Sequence, residues 1–291
     1  MDRLAIIGLG LMGGSLGLAL KTRGFAGRVT GYTRSAERRQ TALARGAVDE
    51  VFDTPQAAVR GADVVVYCAP ILAIPPLVRE TLGDVKPGAI LTDVGSTKDD
   101  LARELTAVVQ RAGAVFLGSH PIAGSEKQSI DAARPGLYEG ATVVITPTGD
   151  EPDGVVAAVE SLWKGTGALV YRMSPGDHDR MLARTSHLPH VAAALLVAAV
   201  ARGGVAVSEF CGSGFRDTTR VAEGAPEIWM DILATNRAAV ADELRALRAE
   251  IDLFIAGLDH SDLPALQRVL SEARQARRTI CGRRAGGDVS G

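Results

Sequence analysis

The stretch "LAIIGLGLMGGSLGLAL" near the N-terminus restricts the possible fold more than any other segment of this 291-residue chain. A short apolar run ends in Gly8, Gly10 and Gly13, spaced G-x-G-x-x-G, and an apolar helix candidate follows. The next apolar run, "RVTGYT", closes a strand–helix–strand unit of about 30 residues, the setting in which this spacing binds a dinucleotide. Gly8 permits the tight turn, Gly10 lets the backbone approach a pyrophosphate, and Gly13 lets helix and strand pack closely. The helix N-terminus then offers unpaired N–H groups and a partial positive charge to the phosphates. A turn with a packing role alone is the alternative, and the agreement of spacing with both flanking elements disfavours it. Leu11 and Met12 inside the motif, and Ala69 and Pro70 at the end of "DVVVYCA", are assigned to the same cofactor site.

The alternation continues. The runs "LAIIG", "RVTGYT", "DVVVYCA", "AILTDV", "AVFLGS", "ATVVIT" and "ALVYRM" are separated by longer stretches of helical character up to residue 173. Near-continuous apolar strands of this kind predict a sheet covered on both faces. The expected architecture is an α/β Rossmann-type, doubly wound, mostly parallel sheet over residues 1–173, then an all-α domain over residues 174–291, with the boundary near "MSPGDHD". In the second half Val240, Leu244, Leu247, Ile251 and Phe254 recur at helical spacing. The 46% hydrophobic content and 23% charge suit a packed core, and a formal charge of −2 gives no reason to expect a nucleic-acid or membrane partner. Cys68, Cys211 and Cys281 are scattered and odd in number, which argues against a disulfide framework and for a reducing, cytoplasmic setting. No signal peptide is read at the start, and the Gly-rich tail after the last helix, near residue 281, is expected to fray.

An NAD-binding chain usually has Asp or Glu at the end of the second strand, for the ribose 2′-hydroxyl. Here Thr33, Arg34 and Ser35 occupy that point. Arg34 could pair with a 2′-phosphate and Ser35 could donate to it, so the reading leans to NADP over NAD. Arg34 stacked on adenine, in a site that takes both cofactors, is the plainer alternative. Ligands of doubly wound sheets bind beyond the carboxyl ends of the strands. Ser96 in "TDVGSTK" and His120 in "GSHPIAGSEK" are expected there, each just past a strand. An imidazole poised near neutral pH can take the proton of a substrate alcohol as hydride leaves the carbon. Ser96 as the cap of a helix starting near Thr97, and His120 as a satisfied loop histidine, are the structural alternatives.

Together, "GLGLMGGSLGLAL", "DVGSTK", "GSHPIAGSEK", "TSHLPHVAAALL" and "GSGFRDTTRVAEGAPEIWMDIL" resemble the prephenate and arogenate dehydrogenase family of tyrosine biosynthesis, in order and over nearly the whole chain. The resemblance implies oxidative decarboxylation of a cyclohexadienol: hydride passes from the hydroxyl-bearing ring carbon to the nicotinamide, the ring carboxylate leaves as carbon dioxide, and the ring becomes aromatic. It implies His120 as acceptor for the substrate hydroxyl, Ser96 as a group orienting that hydroxyl and the nicotinamide, and His187 in the substrate pocket. It also implies Arg220 as the arginine holding the substrate carboxylate, Arg216 as a basic residue reaching into the partner subunit's site, and Trp229 as a pocket-lining aromatic. Surface ion pairing and core packing are the plainer roles for Arg216 and Trp229. Ser125 replaces the threonine common at its place and keeps the hydroxyl. His187 and His190 have a spacing that could suit a metal, but no acidic residue lies between them and no metal is expected. The chain is expected to be the two-domain form, without a chorismate mutase region or a regulatory domain.

Two rivals are open. A β-hydroxyacid dehydrogenase or imine reductase would carry a lysine in its helical half, and residues 174–282 contain none. A noncatalytic nucleotide sensor would not explain Ser96, His120, His187 and Arg220 together. Between the substrates, Lys127 and Gln128 favour doubly anionic prephenate, while Glu126 leaves arogenate open. The segment "HVAAALLVAAVARGGVAV" is apolar nearly all round and must be buried on every side, so a homodimer through the helical half is expected.

Overall fold

The computed structural model describes residues 1–124, 129–202 and 205–282. Ser125, Glu126, Lys127 and Gln128, and the tail from residue 283, therefore lie outside the described residues. Two compact units are distinguished, Met1–Val240 and Ala241–Gly291.

The first unit begins with β1 (Arg3–Ile7), α1 (Leu11–Thr22), β2 (Arg28–Tyr32), α2 (Ala36–Ala44), β3 (Glu50–Phe52), α3 (Pro55–Val59), β4 (Val64–Tyr67), α4 (Ile74–Thr81), β5 (Ile90–Asp93), α5 (Asp99–Arg111) and β6 (Val115–Phe116). The strands form one six-stranded parallel sheet in the order β3-β2-β1-β4-β5-β6. Alternation along β1 sends Leu4 and Ile6 into one apolar cluster and Ala5 and Ile7 into the other. The sheet is thus buried on both faces, as its uninterrupted apolar strands require. β3 is too short and too half-buried to announce itself among the apolar runs.

The chain then departs from a single sheet. β7 (Gly118–Ile122), β8 (Thr142–Thr146) and β9 (Leu169–Arg172) form a separate three-stranded sheet, with α6 (Asp153–Lys164) between its last two strands. β7 runs antiparallel to β8, and β9 runs parallel to β8. His120 is therefore inside a strand, opposite Val144, and not in a loop after one. Pro121, which has no N–H to give the ladder, is tolerated because β7 pairs on one side only. Ser119 fastens the two sheets: its Oγ donates to the Asp93 carbonyl (2.6 Å), and it accepts from the buried Trp163 indole (3.0 Å).

Helices complete the unit: α7 (Pro175–Leu182), one wide π-helical turn (Ala183–His187), α8 (Leu188–Ala201), α9 (Ser213–Thr219) and α10 (Pro226–Thr235). α11 (Arg237–Asp259) starts after Asn236 and carries the periodic positions Val240 to Phe254. The second unit holds most of α11 and α12 (Leu263–Gly282), joined by a turn in which Ser261 takes a positive φ of 55°. Leu266 packs against Gly257, where an added Cβ would come within 2.7 Å of Leu266 Cδ2.

The glycine turn after β1 is under hard steric control. Gly8 has φ 113°, and a Cβ there would lie 2.0 Å from the Cys68 carbonyl oxygen. A Cβ on Gly13 would meet the Gly8 carbonyl at the same distance. Gly8→Ala should therefore lower stability by at least the ~1–3 kcal/mol typical of one strained backbone residue. Urea unfolding read by circular dichroism would register it, and an unchanged midpoint would mean the turn has no need of glycine there.

Candidate active site

Two adjoining cavities of the first unit, about 320 and 490 Å³, share Ser96, His120, Pro121, Ala123, Gly124, Ile228 and Ile232 in their walls. The first continues along Gly10, Leu11, Met12, Ala69 and Pro70, at the start of α1 and the end of β4. The second continues along Leu182, Ser186, His187 and Trp229. No side chain caps α1 at Gly10, and its first turn carries no acidic residue, so the helix's own first turn places no anion at its N-terminus. That is a fit for a dinucleotide pyrophosphate.

The polar framework beneath these walls is continuous. His120 Nδ1 lies 2.9 Å from His178 Nε2, and His178 Nδ1 lies 2.7 Å from Asp179 Oδ1. The Asp179 carboxylate also accepts the backbone N–H groups of Lys98 (2.8 Å) and Asp99 (2.9 Å), so it caps α5 from a distant helix. Ser96 does not cap that helix and instead lines both cavities. Lys98 is fully buried; its ammonium pairs with Asp93 and donates to the Ser119 carbonyl (2.9 Å). Asn236, at the break between α10 and α11, has its amide nitrogen 2.7 Å from the Asp179 carbonyl and 3.2 Å from His187 Nδ1. A carbonyl only accepts, so the NH₂ faces both partners. His187 Nδ1 is then an acceptor, and its Nε2 carries the proton of the neutral ring.

All the pocket histidines are pushed toward neutrality. Burial, then the neighbouring His178, Lys98 and His187, holds His120 well below the ordinary histidine range. Burial lowers His187 to about 4, and lowers His178 despite its hydrogen bond to Asp179. Burial thus favours a neutral His120 over the half-titrated imidazole expected from the sequence. His190 stacks on Trp229 with ring centroids 3.4 Å apart, and His187 meets the same indole edge-on at 6.0 Å.

Ser96, His120, His187 and Trp229 are thereby brought around connected cavities. Gly8 and Gly13 lie beneath the nucleotide turn as packing positions. Arg34 is exposed just beyond β2, and Ser35 caps α2 by accepting the Arg38 N–H. Arg220 closes α9 and Arg216 lies one turn earlier; both are exposed and neither lines the two cavities. Sequence reasoning missed Asp93, Lys98, His178, Asp179 and Asn236. The His-Asp pair in "MSPGDHD" was visible, but only as a polar boundary.

A parallel sheet in this strand order, with the glycine turn at its centre, defines a dinucleotide-binding oxidoreductase fold. The comparisons narrow it. The family described as "Prephenate dehydrogenase, nucleotide-binding domain" matches residues 16–172, and "Prephenate dehydrogenase, dimerization domain" matches residues 174–272. A prephenate dehydrogenase of Bacillus subtilis is 32% identical over 280 residues, covering 95% of this chain and 75% of that protein. The prephenate dehydrogenase of Aquifex aeolicus, solved with hydroxyphenyl propionate and NAD+, superposes with a TM-score of 0.90 at 29% identity, over 96% of this chain and 98% of that one. An arogenate dehydrogenase from Synechocystis gives a TM-score of 0.84 at 31% identity, over 96% and 99%. The chain belongs to the prephenate dehydrogenase family of nicotinamide-dependent oxidoreductases.

The lowered histidines predict acid sensitivity. For each, the unfolded chain binds protons more readily than the folded one, so stability declines as pH falls below the ordinary histidine value of about 6.5. For His187 that loss is complete once the pH passes below its folded value of about 4. His187→Gln should make the urea midpoint fall less steeply across this window; an unaltered slope would locate the acid sensitivity elsewhere.

Proposed function

We propose that this chain catalyses the NAD(P)-dependent oxidative decarboxylation of prephenate to 4-hydroxyphenylpyruvate. The observation that carries the reading is a neutral, buried His120 in the wall shared by a cavity at the dinucleotide turn and a cavity at His187 and Trp229. A bound nicotinamide would supply the hydride acceptor. His120 accepts the proton of the ring hydroxyl, whose acidity rises as hydride departs, and Ser96 orients the same oxygen. His187, with its proton on Nε2, donates to a substrate oxygen, and the apolar walls from Ile228, Ile232 and Trp229 keep water out. Arg220 is assigned to the substrate carboxylate, Arg216 to the site of a partner subunit, and Ser125 to the substrate pocket. The division of labour assigned is nucleotide binding by residues 1–173, and substrate binding and dimerisation by residues 174–291. No helix among the described residues is long and apolar enough to cross a membrane. The free cysteines favour a reducing cytoplasm.

Apolar side chains uncovered in the single chain favour a homodimer. α8 leaves Leu195 57% and Leu196 40% exposed, although a helix so apolar calls for burial all round. In the second unit Leu253, Leu263, Leu270 and Ile280 are also exposed. The likeness to the Synechocystis enzyme keeps arogenate as a second substrate reading. Reduction of cofactor with each substrate decides: a higher kcat/KM for prephenate is expected, and His120→Asn should lower kcat by about 10²–10⁴ while leaving substrate affinity little changed. Near-normal turnover in that variant would remove His120 as the base.

For the cofactor, NADP is favoured because no carboxylate appears after β2 until Glu37, while Arg34 and the Ser35 hydroxyl come directly after it. Arg34→Ala should then weaken NADP binding more than NAD binding in fluorescence titrations, since only NADP carries the 2′-phosphate. Equal losses would make Arg34 a support for the adenine or the loop.

A further inference from the structure

The chain of contacts running from His120 away from the cavities has a direction that hydrogen-bond chemistry fixes. Asp179 lies at one end. Its carboxylate already accepts two backbone N–H groups, those of Lys98 and Asp99, and a carboxylate oxygen only accepts. His178 Nδ1, 2.7 Å from that carboxylate, must therefore be the protonated nitrogen of its ring. A neutral His178 then has a lone pair on Nε2. The group 2.9 Å from that lone pair is His120 Nδ1, which must donate to it. His120, neutral and with its proton on Nδ1, is left with a lone pair on Nε2. We infer that His178 and Asp179 are positioning residues for His120: they fix the tautomer in which Nε2 accepts the substrate hydroxyl proton, and they hold the ring in the cavity wall.

The other ionisable groups around His120 are compatible with this order. Lys98 is occupied by Asp93 and the Ser119 carbonyl. The His187 ring is turned to Asn236 through Nδ1. The T-shaped packing of His120 on His178, with centroids 5.1 Å apart, restrains both rings. When His120 Nε2 takes the hydroxyl proton, the new positive charge is shared through the Nδ1–H bond with a ring that faces a carboxylate. No proton need leave the pair during the step. The same two residues also join the halves of the first unit, since Asp179 caps α5 across 81 and 80 residues of sequence.

The inference rests on the proposed dehydrogenase reading for its kinetic arm, and is independent of it for its spectroscopic arm. In the full-length protein without ligand, ¹⁵N-histidine spectra should give His120 a protonated Nδ1 and an unprotonated Nε2. Assignment is practical with five histidines and the His120→Asn spectrum as reference. His178→Phe removes the acceptor; kcat should fall about 10- to 100-fold, the range for losing a group that orients a reactive one. KM and dinucleotide affinity should stay within about twofold of the parent. His178→Gln can still accept from His120 through its amide oxygen and donate to Asp179 through its NH₂, so it should recover most of the loss. A His120 ring protonated on Nε2, undiminished turnover in His178→Phe, or equal impairment of the Phe and Gln variants would each overturn the assignment. If His178→Phe does not fold, the parent's spectrum still decides. If neither prephenate nor arogenate is turned over, the dehydrogenase reading fails while the tautomer result stands or falls by itself.

Discussion

A buried ion pair organises the first unit. Lys98 and Asp93 are both withdrawn from water, and neither is tolerable there without the other. Losing one partner of such a pair typically costs about 3–5 kcal/mol, because the remaining charge is left uncompensated. Burial drags the Lys98 ammonium toward neutrality, and the Asp93 carboxylate opposes that shift. The pair survives because its remaining valences are met. Asp93 also accepts the N–H groups of Gly95 (2.7 Å) and Ser119 (3.2 Å), and Lys98 donates to the Ser119 carbonyl. These contacts join the end of β5, the loop bearing Ser96 and the strand bearing His120. The reacting groups are thus held by main chain and buried charge, which a flexible loop could not do with the same accuracy.

A second consequence is chemical. A base near the operating pH usually balances availability against strength. Burial holds His120 toward its neutral form, the available side of that balance for the proposed base. Such a base suits a reaction whose alcohol becomes acidic only as hydride departs. In the inferred tautomers His120 carries its proton on Nδ1 and His187 on Nε2, so the two imidazoles would offer one acceptor and one donor toward the cavities.

How far the sequence revealed this depends on the range of each interaction. The glycine turn, the apolar strands and the succession of motifs are local, and they led to the sheet, the nucleotide turn and the family. His120, Ser96, His187 and Trp229 carry motif-level signals and meet around the cavities. The strand status of His120 is hidden because Pro121 is rare inside a sheet, and only the one-sided pairing of β7 admits it. Lys98 in "STKDD" reads as a solvated helix start; its burial depends on a carboxylate at the end of β5 and a carbonyl on β7. His178 meets His120 across 58 residues, and no periodicity encodes such a contact. The arginines of "GFRDTTR" were conspicuous as sequence and lie exposed in the single chain.

The Asp179 cap ties the helices after β9 to the start of α5. Everything that recognises a dinucleotide pyrophosphate, from Gly8 to the start of α1, is complete before residue 173. The imidazole faced by His120 Nδ1 comes only afterwards, at residue 178, on a helix belonging to the same compact unit. A fragment ending at β9 would keep His120 with no partner to choose between its two ring protonation states. The proposed reactivity is thus a property of docking: the contact that would set the His120 ring exists only where the helix after β9 packs against the strand that carries it.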